Sequence, residues 1–284
     1  MYRNLTPKAL GLIGCRDNEL VELAMTYRFL GMELNLQRFQ DQVQAKGLEA
    51  ARRYLCSAPL RLSSAELPLD WTGDDDRFAS EMSRLPTLLD SAQSLECPLV
   101  YVQLMSASPD QPFQQNFELH CRRLASLAQA TSERQLRLGL AFSAIRADSA
   151  GHPYPFIQSV EGFLAILKMV SASNICLILD TWHWTIGGGT LDQLRGLRPS
   201  QIGDVRLADL PTDVDPSTAE IEHRLLPSTQ GIVRNLEVVS WLADVGYEGP
   251  LTPAPHRTQL GAASREQGVE RATQSIDRLW EEAG

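Results

Sequence analysis

The chain has 284 residues, 43% of them hydrophobic and 21% charged, with a formal net charge of −9. That composition is ordinary for a globular protein with a substantial core. The negative balance argues against a nucleic-acid partner, which would call for a cationic footprint. The cysteines Cys15, Cys56, Cys97, Cys121 and Cys176 form no C-x-x-C pair, which favours reduced thiols in a cytoplasmic protein over a disulfide framework or a zinc site. The N-terminal stretch lacks an apolar signal core, and no apolar run is long enough to span a bilayer, so no membrane association is expected.

In chain order, residues 9–14 (A-L-G-L-I-G) read as strand one, and Asp17 is placed to cap a helix carrying Leu20, Leu23, Tyr27 and Leu30. Residues 32–36 read as strand two, followed by a helix with Val43, Leu48, Ala51 and Leu55. Residues 60–62 give a weak strand three. The run Asp74-Asp75-Asp76 reads as acidic residues favoured at a helix N-terminus rather than as a metal site, and Pro86 should kink the helix that follows. Residues 98–105 form strand four with Gln103 near its end; residues 136–142 form strand five, and a helix is expected over 156–170.

Strand six is the stretch N-I-C-L-I-L-D-T-W-H, in which five apolar residues run into Asp180 and then Trp182 and His183. A run of this kind reads as a strand buried on both faces. Thr190 and Gln193 make a capping box, residues 202–207 form strand seven ending near Asp209, and residues 250–252 begin strand eight. Ser264 and Gln267 open a last helix with Val269, Ala272, Ile276 and Trp280 on one stripe. Eight strand–helix units with continuously apolar strands predict a single α/β domain over residues 1–284, a closed (β/α)8 barrel. A doubly wound open sheet is the alternative, and no G-x-G-x-x-G follows strand one to support a dinucleotide fold.

In such a barrel the strand ends line the pocket. They supply Asp180, Trp182 and His183 from strand six and Arg206 and Asp209 from strand seven. Arg224 and P-S-T-Q-G follow in the next loop, and T-P-A-P-H ends strand eight at His256. Here the chain resembles the sugar-phosphate isomerase/epimerase family, whose members have a xylose-isomerase-like barrel related to endonuclease IV. The stretches G-L-A-F, L-I-L-D-T-W-H-W, V-R-L-A-D, R-L-L-P-S-T-Q-G and G-Y-E-G-P-L-T-P-A-P follow the family's order and spacing over residues 136–257. In that family a divalent metal is held by a strand-five glutamate, the aspartate of D-x-x-H, a strand-seven histidine and a strand-eight glutamate. The two glutamates form the acid/base pair, and the D-x-x-H histidine and a later arginine contact substrate.

Carried over, the resemblance implies that Asp180, His183 and Arg224 keep their places. Ala141, Arg206 and Ala254 stand where the other three metal ligands would be. A hard divalent ion needs several oxygen or imidazole donors, whereas a guanidinium has no lone pair to give and would repel the ion. No metal and no cofactor are therefore expected. Arg206 is expected to pair with Asp180, or else with Asp209. Asp180, His183 and His256 are the candidate catalytic residues; Arg206, Arg224, Gln103, Trp182 and Asp209 are the candidate substrate contacts. The bland alternatives are a relic hydrogen bond for Asp180 and His183, a rim position for His256 and simple packing for Trp182. His120 and His152 read as surface residues.

The favoured function is a metal-independent isomerase, epimerase, lyase or cyclase on a small oxygenated substrate, carbohydrate-like or anionic. The alternatives are a non-catalytic binding or scaffold protein and, last, a metal-dependent epimerase with ligands from other positions. Family analogy also suggests a homo-oligomer.

Overall fold

The computed structural model describes residues 1–146, 151–261 and 264–284. Eight parallel strands close into a barrel. They are β1 Tyr2–Leu5, β2 Gly31–Leu34, β3 Arg61–Glu66, β4 Leu99–Gln103, β5 Arg137–Ala141, β6 Ile175–Asp180, β7 Ile202–Leu207 and β8 Pro250–Pro253. Each strand pairs with its sequence neighbour, and β1 closes the ring on β8 through Tyr2 beside Pro250 and Arg3 beside Leu251. Helices run between the strands and cover the barrel. The long ones are α1 Asp17–Thr26, α2 Leu36–Lys46, α3 Leu48–Leu55, α4 Asp75–Ser94, α5 Phe113–Ser132 and α6 Val160–Val170. After them come the short α7 Thr181–Ile186 and α8 Leu191–Arg195, then α9 Asn235–Asp244 and α10 Arg265–Ala283. The expected (β/α)8 barrel is the fold observed. No helix among the described residues is long and apolar enough to cross a membrane.

The largest difference from the expectation is at the start. The first strand is Y-R-N-L, and A-L-G-L-I-G is a loop beyond it, turned at Gly11, whose φ is +69°. Leu10 and Leu12 of that loop are buried while Ile13 is 65% exposed. The true β1 is short and half polar because Asn4 points inward, where its side-chain amide donates to Thr252 Oγ1 at 3.0 Å. Thr252 Oγ1 in turn donates to Asp204 Oδ1 at 3.0 Å, so polar side chains stitch the barrel seam from within.

Helix starts follow their local chemistry. Asp74 caps α4, accepting from the Arg77 N–H at 2.7 Å, and the helix continues through Pro86 to Ser94. Asp17 is the first residue of α1 rather than its cap, and its carboxylate faces Arg38 at 3.4 Å. Ser159 caps α6, which begins later than the apolar pattern suggests, and the Thr190–Gln193 capping box forms reciprocally. His120, expected at the surface, is 1% exposed, packed between Trp71 and Phe156.

Candidate active site

The β6 strand delivers Asp180 to the end of the barrel where parallel α/β proteins collect their chemistry. Asp180 also caps α7: its Oδ1 accepts from the N–H groups of Trp182 and His183, each at 3.1 Å. Its Oδ2 accepts from Arg224 Nη2 at 2.8 Å. Arg224 is held from its other side by the Ala254 carbonyl, which accepts from Nε at 2.9 Å, and its guanidinium lies 5.3 Å from the centre of the Trp182 ring. Burial works to raise the Asp180 carboxyl, but Arg224, His183 and these hydrogen bonds outweigh it and hold it below the usual carboxylate value.

The arginine facing Asp180 is therefore Arg224, not Arg206. Asp180 and Arg206 are register partners on β6 and β7, yet their side chains turn to different neighbours. Arg206 Nε donates to Asp204 Oδ2 at 3.3 Å, and its guanidinium lies 4.6 Å from the centre of the Tyr101 ring. Glu33, from β2, joins this group. It accepts from the Tyr101 hydroxyl at 2.6 Å and from the Thr6 hydroxyl at 2.9 Å, and its Oε2 is 3.6 Å from Arg206 Nη2. Arg206 Nη2 is buried with no hydrogen-bond partner. Burial disfavours the Arg206 charge, but Tyr101, Glu33 and Asp204 outweigh it and keep the guanidinium protonated. Burial, ahead of every other influence, raises the Tyr101 hydroxyl well above its ordinary value and raises the Asp204 carboxyl.

His183 lies beside Asp180 on α7, its Nδ1 accepting the Ala144 N–H at 3.3 Å. Burial, with Arg224 and Arg206 adding to it, outweighs the pull of Asp180 and lowers its pKa to about 4. The imidazole is neutral at physiological pH, and with Nδ1 accepting, the proton sits on Nε2.

Asp180, His183, Arg206, Arg224, Gln103 and His256 all line one cavity of about 450 Å³, together with Glu33, Glu66, Tyr101, Ala141 and Ala254. His256 sits half-buried at the rim, its Nδ1 2.7 Å from Thr258 Oγ1. Gln103 is exposed at the end of β4.

Two expected substrate contacts lie elsewhere. Trp182 is fully buried beneath Arg224, in a separate apolar cluster with Ala208 and Leu210. Asp209 is 2% exposed and spends both oxygens on the following loop. It accepts from the Leu210 and Val233 N–H groups at 2.8 and 3.1 Å and from the Ser228 hydroxyl at 2.6 Å. A Cβ on Gly231 would lie 1.5 Å from Asp209 Oδ2, so a glycine is required there. Asp209 is the anchor of the loop that carries Arg224.

The residues missed from sequence are Glu33, Tyr101, Thr6 and Asp204. Only Asp204 left a signal: two positions from Arg206 on one strand, it shares that residue's face.

Comparison with known proteins agrees with the barrel fold. The model of the xylose isomerase-like TIM barrel family matches residues 21–279. The chain belongs to that family. Among curated proteins it is similar to a putative hydroxypyruvate isomerase of Xenopus laevis, 30% identical over 97 residues; the match spans 34% of this chain and 31% of the relative's length. A xylose isomerase domain protein from Alicyclobacillus acidocaldarius superposes with a TM-score of 0.87 at 21% identity, over 100% of this chain and 99% of the other. The structure described as IOLI protein with a binding zinc atom gives a TM-score of 0.81 at 15% identity, over 99% of each chain. D-psicose 3-epimerase from Clostridium cellulolyticum gives 0.74 at 13%, also over 99% of each. At these identities the structures establish a shared fold.

The divalent metal of the family does not fit the donor set here. Ala141 and Ala254 offer the cavity no side-chain oxygen, and Arg206 brings a buried positive charge to its wall. Asp180 Oδ1 already takes two backbone N–H groups, and its Oδ2 faces the Arg224 cation at 2.8 Å. Among the described residues no three His, Cys, Asp or Glu side chains gather as a ligand set.

Proposed function

We propose that the chain is a metal-independent enzyme of isomerase or lyase type, acting on a small oxygenated substrate. The observation that carries the reading is Arg206: a guanidinium on the cavity wall where the family places a metal-ligating histidine, its Nη2 3.6 Å from Glu33 and without a hydrogen bond. A fixed cation with a spare donor can take over the polarising role of a metal toward a carbonyl or enolate oxygen. The neutral His183, its proton on Nε2, adds a second donor, and a neutral imidazole polarises a carbonyl without contributing net charge.

Asp180 is a positioning residue in this reading. Its oxygens serve α7 and Arg224, and its depressed pKa makes it a weak base. Glu33 is the better proton carrier. It lines the cavity, accepts one hydrogen bond on each oxygen from Tyr101 and Thr6, and retains acceptor sites. His256 at the rim is placed to meet the distal part of the substrate.

The test is proton exchange α to a carbonyl, followed by NMR in D2O with chelator-dialysed protein. The panel includes hydroxypyruvate, D-fructose and D-tagatose. Exchange of at least one member persists with chelator present. Glu33→Gln lowers kcat by roughly 10²-fold or more, and Arg206→Lys lowers kcat/KM by about 10²-fold. Activity that vanishes with chelator and returns with Mn²⁺, Mg²⁺ or Zn²⁺ would overturn the reading. The engaged oxygens of Asp180 favour a second reading, a binding protein without turnover. Saturable binding by calorimetry with no exchange on any panel member would select it.

A further inference from the structure

Beside the strand-end cavity lies a second chamber of about 590 Å³, formed by the loop after β1, the start of α2 and the loop after β3. Lys8, Ile13, Glu33 and Glu66 line both spaces, so the two adjoin. The chamber walls include Leu12, Met32, Leu34, Leu36, Phe39 and Leu67. Its charged residues are paired among themselves: Asp17 with Arg38 at 3.4 Å, Asp70 with Arg77 at 3.2 Å, and Glu81 with Arg77 and Arg84 at 3.0 and 2.6 Å. In the strand-end cavity the Arg206 guanidinium keeps one nitrogen, Nη2, without a hydrogen bond, 3.6 Å from Glu33.

We propose that the chamber receives an apolar extension of the substrate whose oxygenated head lies against Arg206 and His183, so that the substrate is amphipathic. The inference rests on the function proposed above. A charged tail would compete with the carboxylate and guanidinium partners that these side chains already have. An apolar tail meets Ile13, Pro68 and Leu69, which offer accessible apolar surface over a floor of buried core side chains, and gains by leaving water. Ile13 stands where the two spaces meet, 65% exposed, and a tail passing it covers a large apolar side chain otherwise left in water. The border between the two spaces also carries the exposed Lys8–Glu66 pair at 3.7 Å, a weak contact that a ligand can part.

Calorimetric titration with straight-chain 2-oxo acids, from pyruvate to 2-oxooctanoate, tests this. Once the chain reaches the chamber, affinity should tighten about three- to fourfold per added methylene. Leu69→Asp puts a carboxylate in the chamber wall, away from the head cavity. It should leave pyruvate binding unchanged and flatten the dependence on length. Arg206→Lys should weaken every member by a similar factor and leave that dependence intact. Equal affinity at all lengths, a slope untouched by Leu69→Asp, or no binding at any length would overturn the inference. A slope that persists while Arg206→Lys changes no affinity would overturn the head assignment and leave the chamber standing.

Discussion

His120 offers the sharpest test of the electrostatics of this interior. It is 1% exposed, its Nδ1 lies 2.9 Å from the Asn116 carbonyl, and its Nε2 is buried with no partner. A neutral ring suits this place: Nδ1–H donates to the carbonyl and Nε2 is left bare among aromatic rings. Protonation would create an unpaired buried cation near Arg123. Burial accordingly lowers its pKa from 6.5 to about 4. The unfolded chain takes up a proton below about pH 6.5 and the folded chain does not until about pH 4, so stability falls as pH drops through that window. A shift from 6.5 to about 4, at about 1.4 kcal/mol per unit, amounts to about 3 kcal/mol across the window. His120→Phe removes the titration and the orphaned nitrogen at the loss of one hydrogen bond. The variant should lie within about 1 kcal/mol of the parent at pH 7.5 and about 2 to 3 kcal/mol above it at pH 4.5. Urea unfolding of both proteins at several pH values measures this directly. His183, lowered in the same sense, is present in both and cancels in the difference. Parallel stability–pH profiles for parent and variant would refute the assignment.

Asp180→Asn keeps the cap of α7 but leaves the buried Arg224 guanidinium without its counter-charge; a loss of about 3 to 5 kcal/mol in urea unfolding is expected, and an unchanged midpoint would contradict the ion-pair reading. Gly231→Ala drives a methyl into the Asp209 carboxylate, so the loop from Leu225 to Val233 must shift and Tm should fall; a crystal structure of the variant with that loop in place would contradict this. Leu89, fully buried in α4, should lose about 2 to 5 kcal/mol on truncation to alanine, read as a fall in the urea midpoint.

The second half of the chain was legible because its strands are continuous apolar runs ending in polar residues. Residues 202–207 are a strand over the same span that the pattern marks, and Asp180 ends β6 as the run suggests. The first strand was illegible for the opposite reason. Its inward residue is Asn4, which satisfies a polar interior, while the apolar loop beyond it supplies Leu10 and Leu12 to the core from turn geometry. At the site, register adjacency of Asp180 and Arg206 was readable, but adjacency does not choose partners. That choice was made by Arg224, arriving from a loop whose path depends on Asp209 and Gly231, and by Glu33 and Tyr101, arriving from β2 and β4. These contacts join residues far apart in sequence, and no local pattern encodes them.

The hydrogen bond from Asn4 to Thr252 joins positions 248 residues apart. While the chain is being made, β1 can pair with β2 on one edge, but its other edge stays open until Pro253 has left the ribosome, because the strand that closes the ring follows all seven others. Thr6, just beyond β1, is therefore free to reach Glu33 early, whereas Arg224 gains the Ala254 carbonyl only once the closing strand has been made. A circular permutation joining the two ends and cutting between α4 and β4 would make β8 and β1 consecutive and hand the long-range closure of the ring to β3 and β4, so the pair of strand edges that must wait for a partner is set by where the chain is opened.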